Sequence, residues 1–164
     1  MSSAELLVDA FGRVREEVHA AVDGLTDDEL QVRLDADANS IAWLVWHLTR
    51  VQDDHVAAAF GIEQVWPQWR DRFGMTGDRV GYGDTTEQVA RVLAGAELLT
   101  AYYDAVYHQT LKLVGDVTDA DLPRIVDRRW DPPVTLAVRL VSVVSDCLQH
   151  VGQAAFIRGI VQRR

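Results

Sequence analysis

Near the C-terminal end of the chain, Asp146-x-x-x-His150 places a carboxylate and an imidazole four residues apart. On a helix, such residues project from one face with Cβ atoms about 5–6 Å apart. At that spacing they can ligate one metal ion or pair with each other. The apolar residues around them, Val141, Val143, Val144, Leu148, Val151, Ala154, Ala155 and Ile157, predict a buried helix, and a buried carboxylate beside a buried imidazole needs a partner. His47, on a helix much earlier in the chain, is the candidate. Two arrangements fit these residue types: an open metal site with three protein ligands, or a buried polar network, which is costly unless every member is satisfied.

The elements that must bring the three together are helices. Ala4–Val22 repeats Leu6, Leu7, Ala10, Phe11, Val14, Val18, Ala21 and Val22 at three-and-four spacing and predicts a first amphipathic helix ending at Gly24. Thr26-Asp-Asp-Glu has capping-box form and opens a short turn through Asp28–Leu34. Asn39 or Ser40 caps a second long helix from Ile41 to about Phe60, rich enough in Ile, Leu, Val and Trp to be buried, with His47 inside it. Asp54 follows His47 by two turns on the same face, and His55 by one residue more. Each is a candidate for orienting a ligand or touching substrate, and for His55 and Asp53 a polar helix end entering solvent is the plainer alternative.

Gly61–Asp84 breaks the helical rhythm. A connector of this length is either a binding element or a flap packed on the helices or on a second subunit. Trp66, Trp69 and Tyr82 make it suited to covering an apolar ligand. A third helix is expected over Glu87–Val114, with Leu93 in its core stripe and Tyr102 and Tyr103 as inward hydroxyls beside the site. His19 and His108 read as peripheral. The run Arg124–Asp131 leaves room for a short extended piece, but no strand is convincing, and after Pro133 a last helix of about 27 residues, or about 40 Å, runs from Val134 or Thr135 to Val161. Gly152 inside it predicts close approach by another backbone. The expectation is an all-α protein, a single domain over residues 1–164, built as a four-helix bundle with long connecting loops and an up-down-down-up order.

Composition limits the partners. With 16 basic against 25 acidic residues the formal net charge is −9, which opposes approach to a phosphate backbone, so nucleic acid is not expected. An apolar content of 48% with 25% charged residues is that of a globular domain. No apolar run is read as approaching the ~20 residues of a membrane span, and Met1-Ser-Ser-Ala-Glu has neither the basic nor the apolar region of a signal peptide. A cytoplasmic location without membrane association is expected. The single cysteine, Cys147, excludes an internal disulfide; it points about 100° away from Asp146 around a helix and reads as a packed apolar residue rather than a nucleophile.

The run Asn39-Ser-Ile-Ala-Trp-Leu-Val-Trp-His47-Leu, with Asp146-x-x-x-His150-x-Gly-Gln153-x-x-x-x-Arg158, resembles the DinB/YfiT-like metalloenzyme superfamily. That group includes the N-terminal domain of mycothiol-dependent maleylpyruvate isomerase and related thiol-dependent S-transferases. The likeness spans nearly the whole chain by order and length of elements, and its tail is the most specific part. It implies a divalent metal, zinc or else nickel, held by His47, Asp146 and His150. The commonest family pattern has a histidine where Asp146 stands, whereas the maleylpyruvate isomerase branch has a carboxylate. The implied activity is a metal-dependent S-transferase or isomerase that applies a low-molecular-weight thiol, mycothiol- or bacillithiol-like, to a small electrophile. Gln153, Tyr102 and Tyr103 would orient ligands, the Trp66–Tyr82 loop would shape the pocket, and a homodimer through helix faces is the expected assembly. The alternative is a stress-linked bundle that binds metal or ligand without turnover.

Overall fold

The computed structural model describes residues 1–163. Its helices start where side chains satisfy their free N–H groups. Ser2 and Glu5 form a capping box on α1 (Ser3–Val22), and Thr26 and Glu29 form another on the short α2 (Asp27–Gln31). Ser40 accepts from the Trp43 N–H to begin α3 (Ile41–Phe60), which stops at Gly61. Two 3₁₀ turns, Trp66–Gln68 and Arg70–Phe73, punctuate the following loop. Then come α4 (Thr86–Ala90), α5 (Ala96–Val114), β1 (Ile125–Asp127), β2 (Val134–Thr135) and α6 (Leu136–Val161).

The protein is therefore mostly helical, with one small antiparallel ribbon in which Ile125 faces Thr135 and Asp127 faces Val134. Of the four long helices, α3 packs chiefly against α6 and α5, and α1 against the same two. Their shared core holds Phe11, Val14 and Val18 of α1, Leu44 and Leu48 of α3, Leu99 of α5, and Leu140 and Val151 of α6. Because α3 is enclosed on nearly every side, its polar residues His47, Arg50, Gln52 and Asp53 are buried with its apolar ones.

Several expectations need correction. The helix expected over Glu87–Val114 is two helices. The chain turns between Ala90 and Ala96, burying Val92 and Ala94 while leaving Leu93 68% exposed. At that turn Gly95 lies so close to α2 that a Cβ there would meet Asp27 Oδ1 at 2.7 Å. The strands β1 and β2 were not convincing in the sequence, being too short to show an alternating pattern. The α6 helix is also not uniformly buried: Val138, Val141, Leu148 and Phe156 are exposed. Gly152 admits no neighbouring backbone, and a Cβ there would meet nothing within 4 Å. Finally, α6 is, by length and composition alone, just apolar enough to cross a membrane, a property that core helices share. It packs along α3 and α1, as a core helix does.

Candidate metal centre

The α3–α6 contact brings His47 to Asp146 and His150. Each of the three offers one ligand atom, and these atoms lie within 4.8 Å of one another. Local contacts aim them. His47 Nδ1 donates to the Val80 carbonyl at 2.7 Å; a carbonyl can only accept, so the proton is on Nδ1 and the lone pair is on Nε2. On α6 the His150 Nδ1 lies 3.0 Å from Gln153 Oε1, one turn further along, which fixes the same tautomer. His150 Nε2 stands 3.7 Å from Asp146 Oδ1.

The donor set fits a divalent cation. Burial holds the His47 imidazole below its ordinary pKa and so in the neutral form that ligates. Asp146 Oδ2 is buried and, among the described residues, has no hydrogen-bond partner. An orphaned carboxylate oxygen beside two imidazole lone pairs is an unsatisfied network for the protein alone and a satisfied one with a cation.

The loop between α3 and α4 holds the His47 ring. Trp43 stacks on it with centroids 4.5 Å apart and 14° between planes, and Trp43 Nε1 donates to Asp84 at 2.9 Å. Asp84 also pairs with Arg79, whose guanidinium lies over Trp46. Gly81 passes against the ring with φ +108°, and a Cβ there would meet His47 Nδ1 at 2.6 Å. Its neighbour Tyr82 sets its ring edge-on to His47, centroids 5.2 Å apart, while remaining 62% exposed. Partial burial of Tyr82, with the Asp146 and Asp54 charges, pushes its hydroxyl up to about 12, so it keeps its proton.

Of the residues expected near the site, Tyr82, Gln153 and, through Tyr82, His55 are brought to it. Asp54 lies farther out and accepts from Gln64 Nε2 at 2.8 Å. Trp66, Tyr102 and Tyr103 are core rather than pocket wall, each no more than 1% exposed. The Tyr102 hydroxyl donates to Asp53 and the Tyr103 hydroxyl to Gln52. Trp69 packs on Tyr102 and under Arg72. Asp53 is not a solvated helix end. It is 2% exposed and accepts from the Val65 and Trp66 N–H groups, with burial pushing its carboxyl up. Cys147 is fully buried with its thiol pushed well up by burial, so it is no nucleophile.

Two arginines escaped the reading of the sequence. Arg50, fully buried, donates to the carbonyls of Asp78 and Arg79 and to Gln64, Tyr102 and Asp53, and lies over the Trp66 ring. It ties the loop to α3. Arg139 pairs with Asp127 and reaches His55. A signal for both existed: His47, Arg50, Asp53 on α3 and Arg139, Asp146, His150, Gln153 on α6 each form a polar stripe at helical spacing on a largely apolar helix.

The family model for mycothiol-S-transferases matches residues 6–162. The chain belongs to the mycothiol-S-transferase family. This family member is also similar to a crystal structure described as the conserved protein of locus from Enterococcus faecalis, with a TM-score of 0.91 and 27% identity over 100% of this chain and 99% of that one. No curated protein matches it. Within the family, thiol chemistry requires a nucleophile, and Cys147 of this member is sealed in the core.

Proposed function

We propose that this protein is a metal-dependent transferase, or isomerase, that applies a low-molecular-weight thiol of the mycothiol or bacillithiol type to a small electrophile, on a DinB-type four-helix bundle. The observation that carries the reading is a carboxylate, Asp146, that keeps one buried oxygen without a partner and is grouped within 4.8 Å with two imidazoles held in the ligating tautomer, in a chain of this family. A divalent ion held there, zinc or else nickel, would keep an open position and supply the acidity that turns an entering thiol into its thiolate near neutral pH.

The protein's own residues do the rest. His47 and His150 present Nε2, with Val80 and Gln153 holding their other nitrogens. Asp146 contributes the negative charge. Trp43 and Gly81 close the buried side of the His47 ring against water, and Tyr82 forms the exposed side of the mouth. Beyond Gln153 a groove of about 520 Å³, lined by Asn39, Leu44, Gln149, Gln153 and Phe156 among others, offers room for the body of the thiol.

The test is metal content followed by turnover. Protein purified without chelator is expected to carry close to one divalent ion per chain, and His150→Ala protein far less. Equal, low content in both would remove the metal from the reading. Wild-type protein is then expected to couple a thiol to a chromogenic electrophile, with the rate lost on metal removal and regained on reloading; a rate indifferent to metal would sink the mechanism.

A further inference from the structure

Asp127, Arg139, His55 and Tyr82 form a line of hydrogen bonds that ends at the mouth of the triad, and the chemistry of its members fixes the direction of each bond. Arg139 Nη2 donates to Asp127 Oδ2 at 2.9 Å, and Nη1 lies 2.7 Å from His55 Nδ1. A guanidinium has no acceptor, so His55 Nδ1 accepts. The ring is then neutral with its proton on Nε2, and Nε2 stands 3.2 Å from the Tyr82 hydroxyl oxygen. His55 donates there and Tyr82 accepts. Had Tyr82 donated instead, His55 would carry its proton on Nδ1, facing the guanidinium donor. Among the described residues the Tyr82 hydroxyl has no other partner, so its hydrogen is unused by the protein. It belongs to an exposed residue whose ring already touches His47.

We infer that Tyr82 donates this hydrogen bond to an oxygen acceptor on the electrophile, and that Arg139, acting through the tautomer of His55, is the residue that positions the donor. The inference rests on the thiol-transfer reading. It narrows the second substrate to electrophiles activated by a carbonyl, nitro or similar oxygen rather than by a halide leaving group alone. When a thiolate adds to a carbonyl-activated carbon, the S–C bond forms as the π electron pair moves onto oxygen. Tyr82 stabilises that oxygen and keeps its own proton, and the adduct is completed by the proton the thiol released on entry. Arg139 is suited to its part because its side chain is 12% exposed and Asp127 anchors the opposite edge of the fork. A cavity of about 300 Å³ lined by His55, Arg129, Trp130 and Arg139 adjoins this line and leaves space beside it.

The experiment has two readouts. Nitrogen-15 imidazole shifts in the protein as purified are expected to place His55 in the Nε2–H tautomer, in Arg139→Lys as in wild type, and to lose that preference in Arg139→Met. An Nδ1–H tautomer in the wild type would overturn the inference. Cobalt-loaded protein is then titrated with N-methylmercaptoacetamide, whose carbonyl imitates the adduct oxygen, and with 1-propanethiol, which has none, following the sulfur-to-cobalt absorption. Tyr82→Phe is expected to weaken the amide thiol about fivefold and leave propanethiol unchanged, the effect of one hydrogen bond. Arg139→Met should reproduce that loss, the double variant should add nothing, and Arg139→Lys should restore wild-type behaviour. If neither thiol gives a sulfur band, the thiol-transfer reading fails and this inference with it. If both bind and Tyr82→Phe treats them alike, that reading stands and the inference alone fails; an inert Arg139→Met removes the positioning role.

Discussion

Gly81→Ala is the sharpest perturbation of the candidate site that replaces none of its three residues. Gly81 has φ +108°, and an added Cβ would stand 2.6 Å from His47 Nδ1, 3.0 Å from Trp46 and 3.2 Å from Trp43. Two costs add. Forcing a side chain into that backbone region costs about 1–3 kcal/mol. The methyl also occupies the place of the bond from His47 to Val80, and a buried imidazole N–H left without its acceptor costs about 1–3 kcal/mol more. The sum, about 2–6 kcal/mol, is a large part of a typical domain's stability. Gly83→Ala is the control: its φ is +70° but a Cβ there meets nothing within 4 Å, so only the left-handed strain of about 1–2 kcal/mol applies. Urea unfolding followed by tryptophan fluorescence measures stability, and zinc competition with a chromophoric chelator measures the site. Gly81→Ala should bind zinc about 10–100-fold more weakly, the usual effect of releasing a ligand's orienting contact, while Gly83→Ala should bind as wild type. Equal midpoints and equal zinc affinities in the two variants would refute the claim that the loop holds His47 in place.

Arg50→Met should cost about 3–5 kcal/mol by leaving Asp53 buried without its cation, and Asp53→Asn in that background should recover part of the loss; urea midpoints of the two variants check this. Stability should also fall in acid through His55, whose pKa is lowered chiefly by burial and then by the Arg139 charge. The unfolded chain takes up a proton as the pH falls below about 6.5, whereas the folded ring takes it up only at lower pH. Its contribution is thus complete above about pH 6.5 and lost on going down, by at most about 1.4 kcal/mol per pH unit. Asp53, raised by burial, acts in the opposite sense but equally in both proteins, so comparing metal-free wild type with His55→Gln between pH 7.5 and 5.5 isolates the term. Parallel slopes would contradict it.

The helices were legible because they carry local information: caps at Thr26 and Ser40, apolar spacing along α1 and α3, and glycine stops. The pairing of His47 with Asp146 and His150 was legible because each residue sits on a helix whose burial its neighbours dictate. The break between α4 and α5 was not, since Leu93 fits the helical period yet faces solvent once Gly95 packs on Asp27, a contact set by tertiary position. For Trp66 the sequence left two readings open, a binding element and a flap packed on the helices, and Tyr102 is the inward hydroxyl expected of it, turned to Asp53. Aromatic residues serve a binding mouth and a core equally well, and only the buried Arg50 beneath them decides in favour of the core.

That arginine also explains why a long, glycine-punctuated loop can take part in a site at all. A long connector ordinarily fluctuates unless its backbone is tied down, which would leave His47 without a fixed tautomer. Here the ordering comes from α3 itself. Arg50 binds the carbonyls of residues 78 and 79, Asp53 binds the N–H groups of residues 65 and 66, and both ends of the loop are thereby held to the helix that carries His47. Val80 and Gly81 follow directly on the clamped carbonyls, so the backbone that orients His47 is positioned by residues one and two turns along the same helix. The polar stripe His47, Arg50, Asp53 is therefore one device: its last two members fix the loop, and the loop fixes the first. Loss of Arg50 should consequently be felt at the candidate metal centre, although the Arg50 guanidinium hydrogen-bonds to none of its three residues.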